Sequence, residues 1–322
     1  MELLFKEETF SQDFRELLGF VDADINFHSV KSDLISATRE MIGFIGQATY
    51  DRWLVLFKKQ DLDSSERDQL HLLRYPIAIN TYRLVAPSKD LQHTSQGRLM
   101  RTDDQQARPF QWMIDANNEA NERKYYRSVD QLLDYLFLDD DFKTTSNYKE
   151  IRKFFVCSTA DFEEYFPIHS RLLLIKLGPG LRQAEQRYIK PVLGADKFDA
   201  FKAVHLAGTS VSNENQLLFD LVKEFCVYWS LHWAMPRLTI NLLPEGILQK
   251  FTSDRNNTKA SKTPEGLQIQ YAGQKFKEDA MAIIANIESQ ITKLLAPSAD
   301  LHIEEEQDGF RLFNDDDKFA ST

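Results

Sequence analysis

Residues 217–236 read Leu217-Leu218-Phe219-Asp220-Leu221-Val222-Lys223-Glu224-Phe225-Cys226-Val227-Tyr228-Trp229-Ser230-Leu231-His232-Trp233-Ala234-Met235-Pro236. Leu217, Leu218, Leu221, Val222, Phe225, Tyr228, Trp229 and Trp233 recur at helical spacing and cover a face broad enough for central burial. The greasiest part, Phe225 to Met235, is too short and too aromatic-polar to cross a bilayer. It reads as a core helix that starts near Ser212 or Asn213 and closes at Met235-Pro236, with Gly246 and Leu248 following. The same punctuation occurs earlier in the chain: Ala86-Pro87 closes an apolar segment, and Gly97 and Leu99 follow at the same Pro-to-Gly spacing.

Working outward from these anchors, the chain reads as one unit written twice. Gly46, Tyr50 and Asp51 match Gly194, Phe198 and Asp199, while Leu34, Ala37 and Ile42 match Leu181, Ala184 and Ile189 with a one-residue slip. Further upstream Phe27-His28-Ser29 faces Ile168-His169-Ser170 at a shift seven residues shorter, so a short insertion separates the copies there. The expected division is a first helical domain at 1–147, a second at 148–299 and an acidic C-terminal tail at 300–322. Asp139 to Asn147 reads as the linker. A chain of 322 residues is long enough for two domains that each bury a core.

Each copy begins with amphipathic helical patterns, Phe14, Leu17, Leu18 and Val21 and then Leu34, Ala37, Met41, Ile42 and Ile45 in the first. Asp63-Ser64-Ser65-Glu66 supplies capping oxygens for a helix carrying Leu70, Leu73, Ile77, Thr81 and Leu84. Pro76 is expected to kink or split that helix and Pro87 to end it. Leu238-Thr239-Ile240-Asn241-Leu242, the turn residues Pro244-Glu245-Gly246, and Ile247 to Phe251 predict a β-hairpin, with a looser counterpart at Leu91 to Met100. Each copy then ends in a long helix, from about Phe110 to Leu138 in the first and through Ala280, Ile283, Ile284, Ile287 and Ile291 in the second. Ser253 to Pro264 reads as an exposed loop. The predicted class is therefore mainly α, a tandem duplication of a helical domain with one β-hairpin per copy.

Hydrophobic residues at 43% and charged residues at 27% exclude disorder as a description of the whole. Met1-Glu2-Leu3-Leu4-Phe5-Lys6-Glu7-Glu8 has neither a basic n-region nor a long apolar run, so no signal peptide and no membrane association are expected. Cys157 and Cys226 lie far apart, which favours free thiols in a reducing compartment. The net charge is -10, and residues 300–322 hold eight acids against Arg311 and Lys318. An acidic chain without a basic stripe disfavours sequence-specific nucleic-acid binding.

A search for chemistry returns structural readings. Asp22-Ala23-Asp24-Ile25-Asn26 starts like a calcium loop, but Phe27 stands where the loop needs glycine and Asp33 where it needs glutamate. Gly178-Pro179-Gly180 resembles part of a phosphate loop, yet no Gly-Lys-Ser completes it, and a helix break between Leu177 and Leu181 is the simpler reading. No His-x-x-x-His or His-Glu-x-x-His pair exists among the seven histidines. The repeated His28-Ser29 and His169-Ser170 lack a spaced acid and a nucleophile elbow, so helix initiation by the serines explains them better than catalysis. Tyr228, Trp229 and Trp233 sit inside a leucine-rich helical pattern, where core packing outweighs a stacking platform. No catalytic residue, cofactor or metal is expected. The candidate partner contacts are Phe310, Phe313, Asp315, Asp316 and Asp317, an aromatic-acidic stretch suited to docking on a neighbouring subunit.

Ile151-Arg152-Lys153-Phe154-Phe155-Val156-Cys157-Ser158-Thr159-Ala160-Asp161-Phe162, then Ile168-His169-Ser170-Arg171 and Ala184-Glu185-Gln186-Arg187-Tyr188-Ile189-Lys190-Pro191-Val192-Leu193-Gly194, resembles a family of uncharacterised duplicated proteins encoded by Bacteroidetes phages and prophages. The resemblance covers nearly the whole chain. The second copy fits the pattern well, and the first departs from it at Gly43-Phe44-Ile45-Gly46, which lacks the preceding proline. At the level of fold the arrangement is similar to small helical head-to-tail connector proteins of tailed phages. That resemblance implies a non-enzymatic virion or prophage assembly protein with other protein subunits as partners, portal or tail proteins among them. It also implies homo-oligomers located in the host cytoplasm or the virion. The competing expectation is a cytoplasmic interaction module that binds its partner in the groove between the two copies.

Overall fold

The structure is a computed structural model describing residues 1–21, 25–89, 91–94, 97–100, 110–238, 241–243, 246–248 and 266–295. The first copy contains α1 (Phe10–Leu18), α2 (Phe27–Ile45), α3 (Gln47–Lys58), α4 (Ser64–Lys89), the paired segments β1 (Leu91–Thr94) and β2 (Gly97–Met100), and α5 (Gln111–Leu136). Three short helices follow: α6 (Asp140–Lys143), α7 (Ser146–Ile151) and α8 (Thr159–Glu163). The second copy contains α9 (Arg171–Ala184), a π turn (Glu185–Ile189), α10 (Lys190–Leu193), α11 (Ala195–Ala207), α12 (Asn213–Ala234), the segments β3 (Asn241–Leu243) and β4 (Gly246–Leu248), and α13 (Gly266–Leu295). The order of long helices is the same in both.

The class is all-α, which corrects the expectation of a mainly α fold with a β-hairpin built into each copy. Among the described residues there are two hydrophobic cores, one drawn from Leu4 to Tyr148 and one from Phe155 to Ile287, built from helices, the loops between them and the segment before α1. Backbone pairing among the described residues is limited to two isolated local ladders. Leu91 faces Met100 and Thr94 faces Gly97 in one, and Asn241 faces Leu248 and Leu243 faces Gly246 in the other. Pairs of three- and four-residue segments form no sheet layer, because a lone two-stranded ribbon has too little apolar face to define a core. Amphipathic helical periodicity therefore decides the fold.

The central helices are set by their own sequence. At the start of α4, Asp63 Oδ1 accepts from the Glu66 amide at 2.8 Å and Glu66 Oε2 accepts from the Asp63 amide at 3.1 Å, a reciprocal cap. Its buried face is Leu70, Leu73, Ile77, Ala78 and Thr81. In contrast to the expected break, α4 runs unbroken through Pro76 and Pro87, and α9 runs through Gly178-Pro179-Gly180. Each proline removes only one amide donor, and packing of the apolar face holds the helix across the gap. Gly180 has a further use. A Cβ there would lie 3.0 Å from Ser230 Cα and 3.2 Å from Trp233 Cε3, so glycine lets α9 and α12 approach closely.

Asp139 to Asn147, expected as a solvated linker, is instead folded onto the first core. Phe142 is fully buried on α6, and Arg52 forks between Asp139 at 2.7 Å and Asp141 at 2.9 Å. Ser253 to Pro264 and the calcium-like Asp22-Ala23-Asp24 lie outside the described residues.

Candidate functional site

The seam where the two cores meet holds a connected set of polar groups, several of them buried. Ser158 and Asp161 form a capping box on α8, and Asp161 also pairs with Lys223 of α12 at 3.3 Å. Burial opposes ionisation of Asp161, yet Lys223 and the Ser158 and Cys157 hydrogen bonds hold its pKa below the usual carboxylate value. Arg171, the first residue of α9 and 6% exposed, donates from Nη1 to the Cys157 carbonyl at 3.1 Å and faces Asp130 of α5 at 3.4 Å. Thr159 Oγ1 donates to the other Asp130 oxygen at 2.7 Å. The seam thus ties α5 of the first copy to α8 and α9 of the second.

Beside it lies a second buried set. Glu185, 2% exposed on the π turn, accepts from the Phe155 amide at 2.6 Å and pairs with Lys202 of α11 at 2.7 Å. Burial raises its pKa, and Lys202 works against that rise. His205 packs against Phe155 and Phe219, with its Nε2 buried and without a partner. Burial, reinforced by the Arg152 and Lys202 cations, brings its pKa down to about 3, so the ring is neutral at ordinary pH. Burial and the neighbouring Asp161 push the Cys157 thiol up to about 12, which leaves no reactive thiolate. Cys226 is fully buried and shifted upward for the same first reason, and both cysteines are free.

A cleft of about 240 Å³ opens at the seam, between the C-terminal end of α2, the α7 segment and α9. Its apolar wall includes Phe44, Ile151, Phe154, Leu174 and Ile175, with Arg171 and Lys153 as cations and Glu150 as the ion-pair partner of Lys153. Asn147 closes one side, donating from Nδ2 to the Gly43 carbonyl at 3.0 Å and the Phe44 carbonyl at 3.2 Å. A larger, polar cleft of about 480 Å³ lies in the first copy between α2, α4 and α5. There Asn80 and Tyr125 both donate to Glu40, at 2.9 and 2.8 Å, and Arg83 bridges Asn80 and Glu122. The second copy has diverged: where α4 carries Asn80 and Arg83, α12 carries Trp229 and His232 at the same offset. Trp229 packs on Tyr188 with ring centroids 4.1 Å apart. A charged cleft in one copy stands where the other has aromatic packing.

The candidates from sequence fall as follows. His28 and His169 are both exposed and pair with Glu7 and Glu163, each at 3.0 Å, so neither stands in a deep pocket. Their apparent repetition is not structural equivalence. Ser170 caps α9, accepting from the Leu173 amide, whereas Asn26 caps α2 and Ser29 lies inside its first turn. Trp229 is a core residue. Phe310, Phe313, Asp315, Asp316 and Asp317 lie outside the described residues. The seam network escaped sequence reading because its members are scattered between Asp130 and Lys223. The one signal pointing to it was Arg171, a cation directly after a helix cap in an otherwise apolar pattern. No group of three or more metal-ligating side chains converges among the described residues, and no described helix is long and apolar enough to cross a membrane.

An all-α chain with the same order of long helices twice, joined by a polar seam, is a tandem duplication of a helical unit. The family of unknown function DUF6712 matches it twice, over residues 42–153 and 189–291, and the chain belongs to that family. No curated protein and no solved structure matches.

Proposed function

We propose that this protein is a non-enzymatic assembly component whose two helical units pack against other protein subunits. The observation that carries the reading is apolar exposure at the start of the last long helix of each copy, at positions that differ between the copies. Phe110, Trp112 and Met113 stand out at the start of α5, and Leu267 and Tyr271 at the start of α13, the corresponding last helix of the second copy. Large apolar side chains grouped on a surface mark interaction sites. Two such groups at different places on one chain give each subunit two neighbours, the arrangement that closes into a ring when the rotation permits. The buried ionisable groups agree with this reading, since each joins segments of the scaffold.

The finer assignment is a virion or prophage protein of the head-to-tail connector kind, working in the bacterial host cytoplasm or in the particle. It rests on the resemblance carried by residues 151–194, with portal or tail proteins as the expected partners. Size-exclusion chromatography with light scattering, together with particle imaging, tests the assembly reading. The expected result is a homo-oligomer, or a complex with such a partner, that Trp112→Ser with Met113→Ser disrupts while the helical circular dichroism is unchanged. A strict monomer, alone and with partners, overturns it. The second reading, an interaction module that takes its partner between the copies, is favoured by the cleft beside Arg171. A partner displaced by substitutions at Gly43 or Ile175 and insensitive to those at Trp112 and Met113 would select it.

A further inference from the structure

The seam inside the chain shows how one helical unit covers another. Asp130 of α5 meets Arg171 and Thr159 of the second copy, and Gly43 and Phe44 at the end of α2 share one cleft with Ile175 and Gly178 of α9. The last helix of the second copy follows the same frame. Val129, Leu132, Leu133 and Leu136 of α5 align at one constant shift with Ala280, Ile283, Ile284 and Ile287 of α13, and all of them are buried. At that shift Asp130 falls on Met281 and Asp134 on Ala285. Counted from Gly46 and Gly194, Gly43 and Phe44 fall on Pro191 and Val192 of α10, which packs beside α13. Among the described residues nothing covers this second face as α9 covers the first. Met281 is 43% exposed, against 20% for the side chain of its counterpart Asp130, and Ala285 and Pro191 are exposed as well. A stack of repeats ends in a unit with a polar outer face. Here the opposite has happened: the two acids of α5 are replaced by methionine and alanine where a further unit would sit.

We propose that this face of α10 and α13 receives the first unit of a second copy of this chain, docked as the second unit docks on the first within one chain. The occupant follows from the seam. What covers the corresponding face of α5 is a unit of the same family, and the first unit of the chain is the other example of it. The approaching surface is the start of α2, where His28 and Lys31 take the places of Ile175 and Gly178 and are exposed. The docking rests on the assembly reading and gives it a direction. Two different surfaces meet head to tail, a contact that closes into a ring or runs on as a filament.

Light scattering on three full-length chains tests it: the unaltered chain, one with Met281→Glu and Ala285→Glu, and one with His28→Glu and Lys31→Glu. All the altered positions are exposed, so helical circular dichroism should not change. The unaltered chain is expected to self-associate, and each altered chain alone to keep the mass of a single chain. An equimolar mixture of the two altered chains should reach twice that mass, because one keeps its α2 surface and the other its α13 face. Self-association that survives Met281→Glu with Ala285→Glu but is lost in Trp112→Ser with Met113→Ser would overturn this docking and leave the assembly reading standing. Association with a different protein only would do the same. A mixture no heavier than its parts would overturn the head-to-tail contact, and an unaltered chain that stays single alone and with partners would overturn both readings.

Discussion

His205 shows how a residue type that often signals chemistry can be held out of it. The first copy carries Phe57 at the matching place on α3, and His205 itself packs against two aromatic rings, Phe155 and Phe219. Its pKa lies at about 3 against an ordinary value near 6.5. The unfolded chain therefore takes up a proton that the folded chain refuses, and stability present above pH 6.5 is lost as the pH falls toward 3, by up to roughly 1.4 kcal/mol per pH unit. His205→Phe should flatten that part of the pH–stability curve, measured by urea unfolding between pH 7 and about 4; an unchanged slope would show that other groups carry it. At the seam, Asp130→Ala leaves Arg171 buried without its carboxylate. A loss of roughly 3 kcal/mol is expected, the low end for a broken buried pair because Asp130 is itself partly exposed. The double variant Asp130→Ala with Arg171→Met should recover most of it, since the unpaired charge is gone. No spacing in the sequence announced either residue's role, because their partners come from other helices.

At the scale of elements, the turns on Gly46 and Gly194 and the insertion after Ala184 carry the duplication. Gly46 and Gly194 have nearly the same backbone, φ 84 and ψ 155 against φ 79 and ψ 156, a region that side chains rarely enter. Both start a helix, α3 and α11. Alanine at either should be unfavourable by about 1–3 kcal/mol from the backbone alone. Gly46→Ala should be the worse of the two, because its Cβ would lie 2.7 Å from Asn147 Oδ1 while Gly194 has open space. Equal losses in thermal unfolding would mean that Asn147 yields freely. The one-residue slip between the copies has a physical form that moves the match of Ile189 from Ile42 to the equally buried Met41: the helix that matches α2 contains the π turn Glu185–Ile189, in which the Lys190 amide bonds to the Glu185 carbonyl. A π turn takes one extra residue into an otherwise continuous helix. It also carries Glu185, the buried acid that faces Lys202. The helices were legible because their apolar faces repeat at helical spacing. The prolines at 76 and 179 misled because local propensity is weaker than the packing of a buried helix face. The paired segments 91–94 with 97–100 and 241–243 with 246–248 add no layer to the fold, since strand-like alternation over a few residues offers too little apolar face.

The whole molecule is two cores built on one plan and fastened by a seam. The duplication was readable from the Pro-to-Gly punctuation; the seam was not, because Asp130, Cys157, Thr159 and Arg171 meet only once both copies have folded. The two copies differ in their clefts, and each leaves large apolar side chains exposed at the start of its last long helix. The most direct test is the mass of the full chain in solution, by light scattering across a wide concentration range, alone and mixed with the proposed portal or tail proteins. Association into a defined oligomer or a stoichiometric complex, lost in the Trp112→Ser, Met113→Ser variant, is the expected result. A particle that remains a single chain under all of those conditions would contradict the account.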